Sequence, residues 1–288
     1  MGEEEKAEEK PEEKPEEKPE EKEKFTLHFP NENNLAIIAV IAGVIVSILP
    51  VLPAFVKGIG AILVILWGAD SVRKTARYGL GTGVPSIGVL AMGYGIVGGV
   101  TGIVIGSVPA LGGGGIVEPG VLVGVAAVGV VGYISGILAN NEKFIGMKIP
   151  GLERGMAELG MAGALAVIIE SSMIAGTWDA AIVIPEIIEN GLIALIFILA
   201  GFGMLQPYNS CLGADERRGR TLLVSVEIGG LSCIILGVLA SLIQGMAQGV
   251  PLIALGAITW VLFYSAYVRA CLNEAHSVVG TGLIKTMR

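Results

Sequence analysis

Val84-Pro85-Ser86-Ile87-Gly88-Val89-Leu90-Ala91-Met92-Gly93-Tyr94-Gly95-Ile96-Val97-Gly98-Gly99-Val100-Thr101-Gly102-Ile103-Val104-Ile105-Gly106-Ser107-Val108 contains no charged side chain. A helix needs roughly 20 apolar residues to cross a bilayer, so this run reads as a span. Working outward, comparable segments lie at 35–49, 54–72, 119–139, 156–176, 190–206, 221–243 and 252–270. With 84–108 they make eight. The first is short, and Pro50-Val51-Leu52-Pro53 behind it suggests a tight helical hairpin or a re-entrant pair. The expected fold is all-α: a polytopic transmembrane helical bundle of about eight apolar segments, six to eight of them full spans.

Composition agrees. Of 288 residues 53% are apolar, 16% are charged and 43 are glycine, about twice the usual glycine share. The charge is also concentrated, because residues 1–24 hold twelve Glu and six Lys and leave 13 Lys+Arg and 14 Asp+Glu for the rest. No water-facing surface of that length carries so few charges, which excludes a soluble enzyme. No basic stripe exists for a nucleic acid. The chain therefore divides into an acidic Glu/Lys/Pro-rich tail over 1–34, expected to be disordered, and an integral membrane helical domain over 35–288. The tail has neither the basic start nor the short apolar core of a signal peptide, so the protein is expected to stay in the cell membrane.

Orientation follows from the basic residues, which collect in cytoplasmic loops. Arg73, Lys74 and Arg77, then Lys143, Lys148 and Arg154, then Arg217, Arg218 and Arg220, and finally Arg269, Lys285 and Arg288 fall on one side; Lys57 does not. Both termini are thus expected in the cytoplasm. On the outer side Trp178 to Asn190 reads as a short interfacial helix with Trp178 at headgroup level, and Phe144 to Glu153 reads as a segment along the cytoplasmic surface.

Small residues recur four apart in the third and fourth segments, as at Gly98 and Gly102 or Gly120 and Gly124. Such spacings let helices approach closely, and both segments are expected to be covered by protein on both sides. Acids inside spans are costly and mark candidate ion paths. They are Glu227, Glu158, Glu170 and Asp70. Glu158 and Glu170 are separated by about 18 Å of helix and cannot form one site, whereas Glu158 and Glu227 each lie about one turn inside the cytoplasmic boundary and suit one inward-facing cavity. Hard oxygen ligands of this kind suit a small cation; a packing acid is the competing reading.

Two loops suit an anion, with a flexible turn as the competing and stronger reading of the glycine-rich one. One contains Gly81, Thr82, Gly83 and Ser86 behind Arg73, and the other contains Asn209 ahead of Arg217 and Arg218. Glycines free backbone amides and a following helix start offers a positive dipole. Gly68-Ala69-Asp70 is echoed by Gly213-Ala214-Asp215, consistent with an internal duplication. No Cys/His cluster suggests a metal, and no nucleophile with a base suggests a catalytic residue.

Trp67-Gly68-Ala69-Asp70, Tyr78-Gly79-Leu80-Gly81-Thr82-Gly83-Val84-Pro85-Ser86-Ile87-Gly88, Asn190-Gly191-Leu192-Ile193-Ala194-Leu195-Ile196-Phe197 and Pro207-Tyr208-Asn209-Ser210-Cys211-Leu212-Gly213 resemble the C subunit of the tetrahydromethanopterin S-methyltransferase of methanogenic archaea. The resemblance runs from about residue 57 onward and leaves out the tail through Asn34. It implies a membrane complex that moves a methyl group from methyl-tetrahydromethanopterin to coenzyme M through a cobamide held by another subunit, coupled to sodium export. It further implies the D and E membrane subunits as partners, surrounding lipid, and coenzyme M entering a cytoplasmic cavity. No named sodium ligand carries over onto this chain. Two alternatives stay open, a stand-alone secondary transporter and a purely structural membrane scaffold.

Overall fold

The computed structural model describes residues 29–76, 83–111, 113, 115–210 and 217–280. Among the described residues nine α-helices follow in order: α1 Glu32–Ile48, α2 Ala54–Ala76, α3 Gly83–Gly106, α4 Leu122–Asn140, α5 Leu152–Ala175, α6 Ala180–Val183, α7 Leu192–Ser210, α8 Arg218–Ile243 and α9 Met246–Gly280. No strand occurs among them.

Each apolar segment becomes a helix, and local chemistry sets the ends. Asn31 caps α1 by accepting the Asn34 N–H at 2.8 Å, so the helix begins at Glu32, ahead of the first apolar residue Leu35. α5 is capped by Gly151 and Gly176, and Gly176 closes it in the left-handed region at φ 78°, where a side chain would be strained. Gly245, at φ 98°, turns α8 directly into α9. Among the described residues six helices are long and apolar enough to cross a membrane, and a seventh crossing results if the pair Ala180–Glu189 and Leu192–Pro207, bent by 80°, counts as one. α1 has 17 residues and is shorter than the six.

α5 is the axis of the bundle. Of its apolar window 94% is buried inside the chain, against 17% for α9, and α1, α2, α3, α4, α7 and α8 all pack on it. α2 lies antiparallel to it: Ser71 Oγ donates to the Gly155 carbonyl at 3.2 Å near one end, and Lys57 Nζ donates to the Ser172 carbonyl at 3.2 Å near the other. Arg73, Lys74 and Arg154 mark the first of these as the basic end of the bundle.

Two expectations are corrected, at Trp178 and at the start of α5. Within this chain α3 and α4 are only partly covered: 44% and 39% of their windows are buried, with Val97 at 67% and Val130 at 59% exposure. Their glycines serve the inner face, where a Cβ on Gly98 would lie 2.9 Å from the Gly124 carbonyl and would overlap Val128. Trp178 is fully buried within the chain and so does not present its ring to lipid headgroups. α5 begins at Leu152, so the surface segment ahead of it ends sooner than Glu153; within it Phe144 and Ile145 are exposed.

Candidate functional site

Four acids and two clusters of cations stand out in the sequence, and α2, α5 and α8 decide where they meet. At the basic end Glu158 is buried between two cations, with Arg154 Nε 2.6 Å from Oε1 and Lys74 Nζ 3.5 Å from Oε2. The first pair is the i,i+4 spacing of one helix face; the second ties α2 to α5. Beside them opens a cavity of about 240 Å³ whose wall includes Glu32, Lys74, Thr75, Gly151, Arg154 and Glu158.

Glu227 does not reach that cavity. It is half-buried on α8 and its side chain is hydrogen-bonded to Trp260 of α9, so α8 turns it toward the α8/α9 hairpin. The inward-facing cavity expected to join Glu158 and Glu227 is therefore lined by Glu158 without Glu227.

Asp70, 1% exposed, is clasped by Arg218, whose Nε lies 2.8 Å from Oδ1 and whose Nη2 lies 3.1 Å from Oδ2. This is the bidentate fork that matches a guanidinium to a carboxylate. The same guanidinium donates through Nη1 to the Pro30 carbonyl at 2.7 Å. A residue expected to attract an anion and one expected to pass a cation thus bind each other. Arg73 reaches Glu32 on α1 at 3.5 Å. Arg217 sits at the N-cap of α8, Ser86 is exposed in the first turns of α3, Gly83 begins α3, and Asn209 lies in the last turn of α7. Gly81, Thr82 and the Gly213-Ala214-Asp215 echo lie outside the described residues.

Glu170 stands apart from all of these. It is fully buried on α5, and neither carboxyl oxygen has a hydrogen-bond partner; the Oγ of Ser171, also fully buried, has none either. An ion left in this condition costs several kcal/mol. Toward the C-terminal end of α5, Lys57 of α2, 1% exposed, donates to the carbonyls of Ser172 at 3.2 Å and Gly176 at 3.4 Å and lies 5.6 Å above the Trp178 ring. A cation at a helix C-terminus complements the dipole there, and the aromatic face adds a cation–π contact. Sequence reasoning missed this cap, although Lys57, standing away from the basic loops, was the available signal. It also missed Lys74 and Arg154 as the cations of the cavity.

Among the described residues no group of three His, Cys, Asp or Glu converges on a metal-sized space. The polar features are ionic clasps at the basic end, a half-open cavity, and one carboxyl group sealed within the bundle.

The family model for the C subunit of tetrahydromethanopterin S-methyltransferase matches residues 21–287. The chain belongs to that family. The C subunit from Methanosarcina mazei is 43% identical over 231 residues, covering 80% of this chain and 82% of the relative. That from Methanosarcina acetivorans is 41% identical over 265 residues, covering 89% and 92%, and that from Methanothermobacter thermautotrophicus is 38% identical over 252 residues, covering 86% and 90%. Membership in the C-subunit family makes this a component of a methyltransferase complex, with other subunits as its partners. The long apolar helices are consistent with a multi-pass membrane protein. The match starts at residue 21, well before residue 57, and so takes in the end of the acidic tail that the motif resemblance leaves out.

Proposed function

We propose that this subunit is a non-catalytic membrane part of a complex that transfers a methyl group from methyl-tetrahydromethanopterin to coenzyme M and exports sodium. The methyl donor and the cobamide are handled by other subunits. The D and E subunits adjoin it in the membrane, the basic end and both termini face the cytoplasm, and the chain forms a share of the ion-conducting region.

The observation that carries this reading is the content of α5. A helix buried on every side, which apolar packing alone would fill with Leu, Ile and Ala, holds Glu158 at the cavity and Glu170 deep in the bundle. An intramembrane acid is by default the starting hypothesis for an ion or proton route. The cavity suits a small anionic thiol: Lys74 and Arg154 line it, and a sulfonate would compete with Glu158 for the exposed Arg154 guanidinium. A coupled machine needs methyl transfer to favour one of two conformations that differ in sodium access.

The scaffold reading has one observation in its favour: Asp70 and Glu158 are neutralised within the chain. Purification from native membranes in mild detergent, with mass spectrometry and an absorption spectrum, tests the assignment. Recovery with the other subunits and a corrinoid spectrum is the expected result. A chain recovered alone, without corrinoid, points to a stand-alone transporter instead.

A further inference from the structure

We infer that Glu170 is the residue at which the bundle binds a small monovalent cation in exchange for a proton. The inference rests on the ion-conducting role proposed above and assigns that role to one side chain among the four candidate acids.

Geometry eliminates the other three. Asp70 is held at both oxygens by Arg218, Glu158 is held between Arg154 and Lys74, and Glu227 is half-buried and hydrogen-bonded to Trp260. Glu170 alone of the four is fully buried with both oxygens unpartnered. A carboxyl group in that position is complete only with a proton on it or a cation against it.

The surroundings favour exchange of one for the other. A carboxylate is a hard oxygen donor suited to such a cation, and the fully buried Oγ of Ser171, next in sequence, is likewise unused. The charged and titratable groups around it are few. From α2 comes Lys57, whose ammonium is committed to the Ser172 and Gly176 carbonyls. From α8 comes the buried Cys233, whose Sγ lies 3.9 Å from the Gly58 carbonyl. α3 over residues 83–106 and α7 over residues 192–207 carry no Asp, Glu, Lys, Arg or His. No charged competitor is therefore at hand on those helices. When a cation enters, the carboxylic acid O–H gives its proton to water and the freed oxygens take the cation; the reverse step restores the acid.

The test uses the intact complex. A hydrophobic carbodiimide reacts with a protonated carboxyl group, and the modified residue is mapped by peptide mass spectrometry in choline, potassium or sodium chloride. Modification at Glu170 that sodium suppresses saturably, with choline as the reference, is the expected result; modification indifferent to sodium overturns the inference. Sodium uptake by reconstituted complex gives the second readout, which decides if Glu170 takes no label. Glu170→Gln is expected to lose about tenfold or more of the wild-type uptake, the scale on which metal sites respond to loss of a supporting group, while Glu170→Asp keeps uptake with a shifted half-saturation. Both variants showing wild-type sodium dependence overturn the inference. If Glu170→Gln does not assemble, labelling of the wild-type complex decides. Wild-type complex that transfers methyl groups without moving sodium would instead overturn the ion-conducting reading, and labelling then judges the cation site by itself.

Discussion

Arg218 of α8 clasps Asp70 of α2 through two parallel contacts, 2.8 Å from Nε to Oδ1 and 3.1 Å from Nη2 to Oδ2, and closes the basic end of the bundle across 148 positions of sequence. With Asp70 1% exposed and Arg218 at 20%, the pair is desolvated enough for each partner to depend on the other. Arg218→Met leaves a buried unpaired carboxylate, and breaking such a pair costs about 3–5 kcal/mol. The double variant Asp70→Asn, Arg218→Met is expected to recover most of that loss. Thermal unfolding of the purified complex in detergent, arranged as a double-mutant cycle, reads the difference.

α3 and α4 meet over glycine, and the consequence is position-specific. Gly98→Leu drives a side chain into Val128 and toward the Gly124 carbonyl; overpacking typically costs about 1–3 kcal/mol, and more where backbone is the obstacle. Gly93, on the same helix, has nothing within 4 Å of an added Cβ, so Gly93→Ala is expected to be neutral or to stabilise by up to about 1 kcal/mol. Yield and thermal midpoint of the two variants, measured side by side, check the contrast.

Lys57 fastens the end of α5 through the Ser172 and Gly176 carbonyls beneath Trp178. Lys57→Met removes two charge-assisted hydrogen bonds, each contributing about 1.5–3 kcal/mol, and is expected to lower the thermal midpoint clearly. Trp178→Leu keeps the hydrogen bonds and loses the ring, so its effect is expected to be smaller than that of Lys57→Met.

The cavity beside Glu158 is the proposed entry for coenzyme M, and Lys74 and Arg154 are its cations. Lys74→Gln is expected to raise the KM for coenzyme M about tenfold with little change in kcat, the size of one lost charge-assisted contact. Arg154, 62% exposed in its side chain, is expected to contribute under about 1 kcal/mol to stability, so Arg154→Gln separates substrate effects from folding effects.

Much of the fold is legible because spans announce themselves as uncharged runs: the run from Val84 to Val108 covers nearly all of α3, and the short first segment becomes the short helix α1. Burial is not legible. A membrane helix is apolar whether it faces lipid or protein, so the apolar runs of α5 and α9 alone do not tell which is sealed inside and which is open. Partnership is equally hidden. Asp70 and Arg218 each stand out chemically, but a pair so distant in sequence is set by the packing of α2 on α8, and the same holds for Lys57 and Trp178. Trp178 is misplaced by composition, because an aromatic residue between a span and an acidic loop looks like an interface anchor, and only the position of Lys57 draws it inward.

Sodium accumulation in vesicles reconstituted with the purified complex, followed while methyl groups pass from methyl-tetrahydromethanopterin to coenzyme M, is the measurement that bears on the coupled role itself. Sodium is expected to move only while methyl transfer proceeds, and raising sodium is expected to accelerate the transfer. Methyl transfer at full rate with neither sodium dependence nor sodium movement would contradict that role.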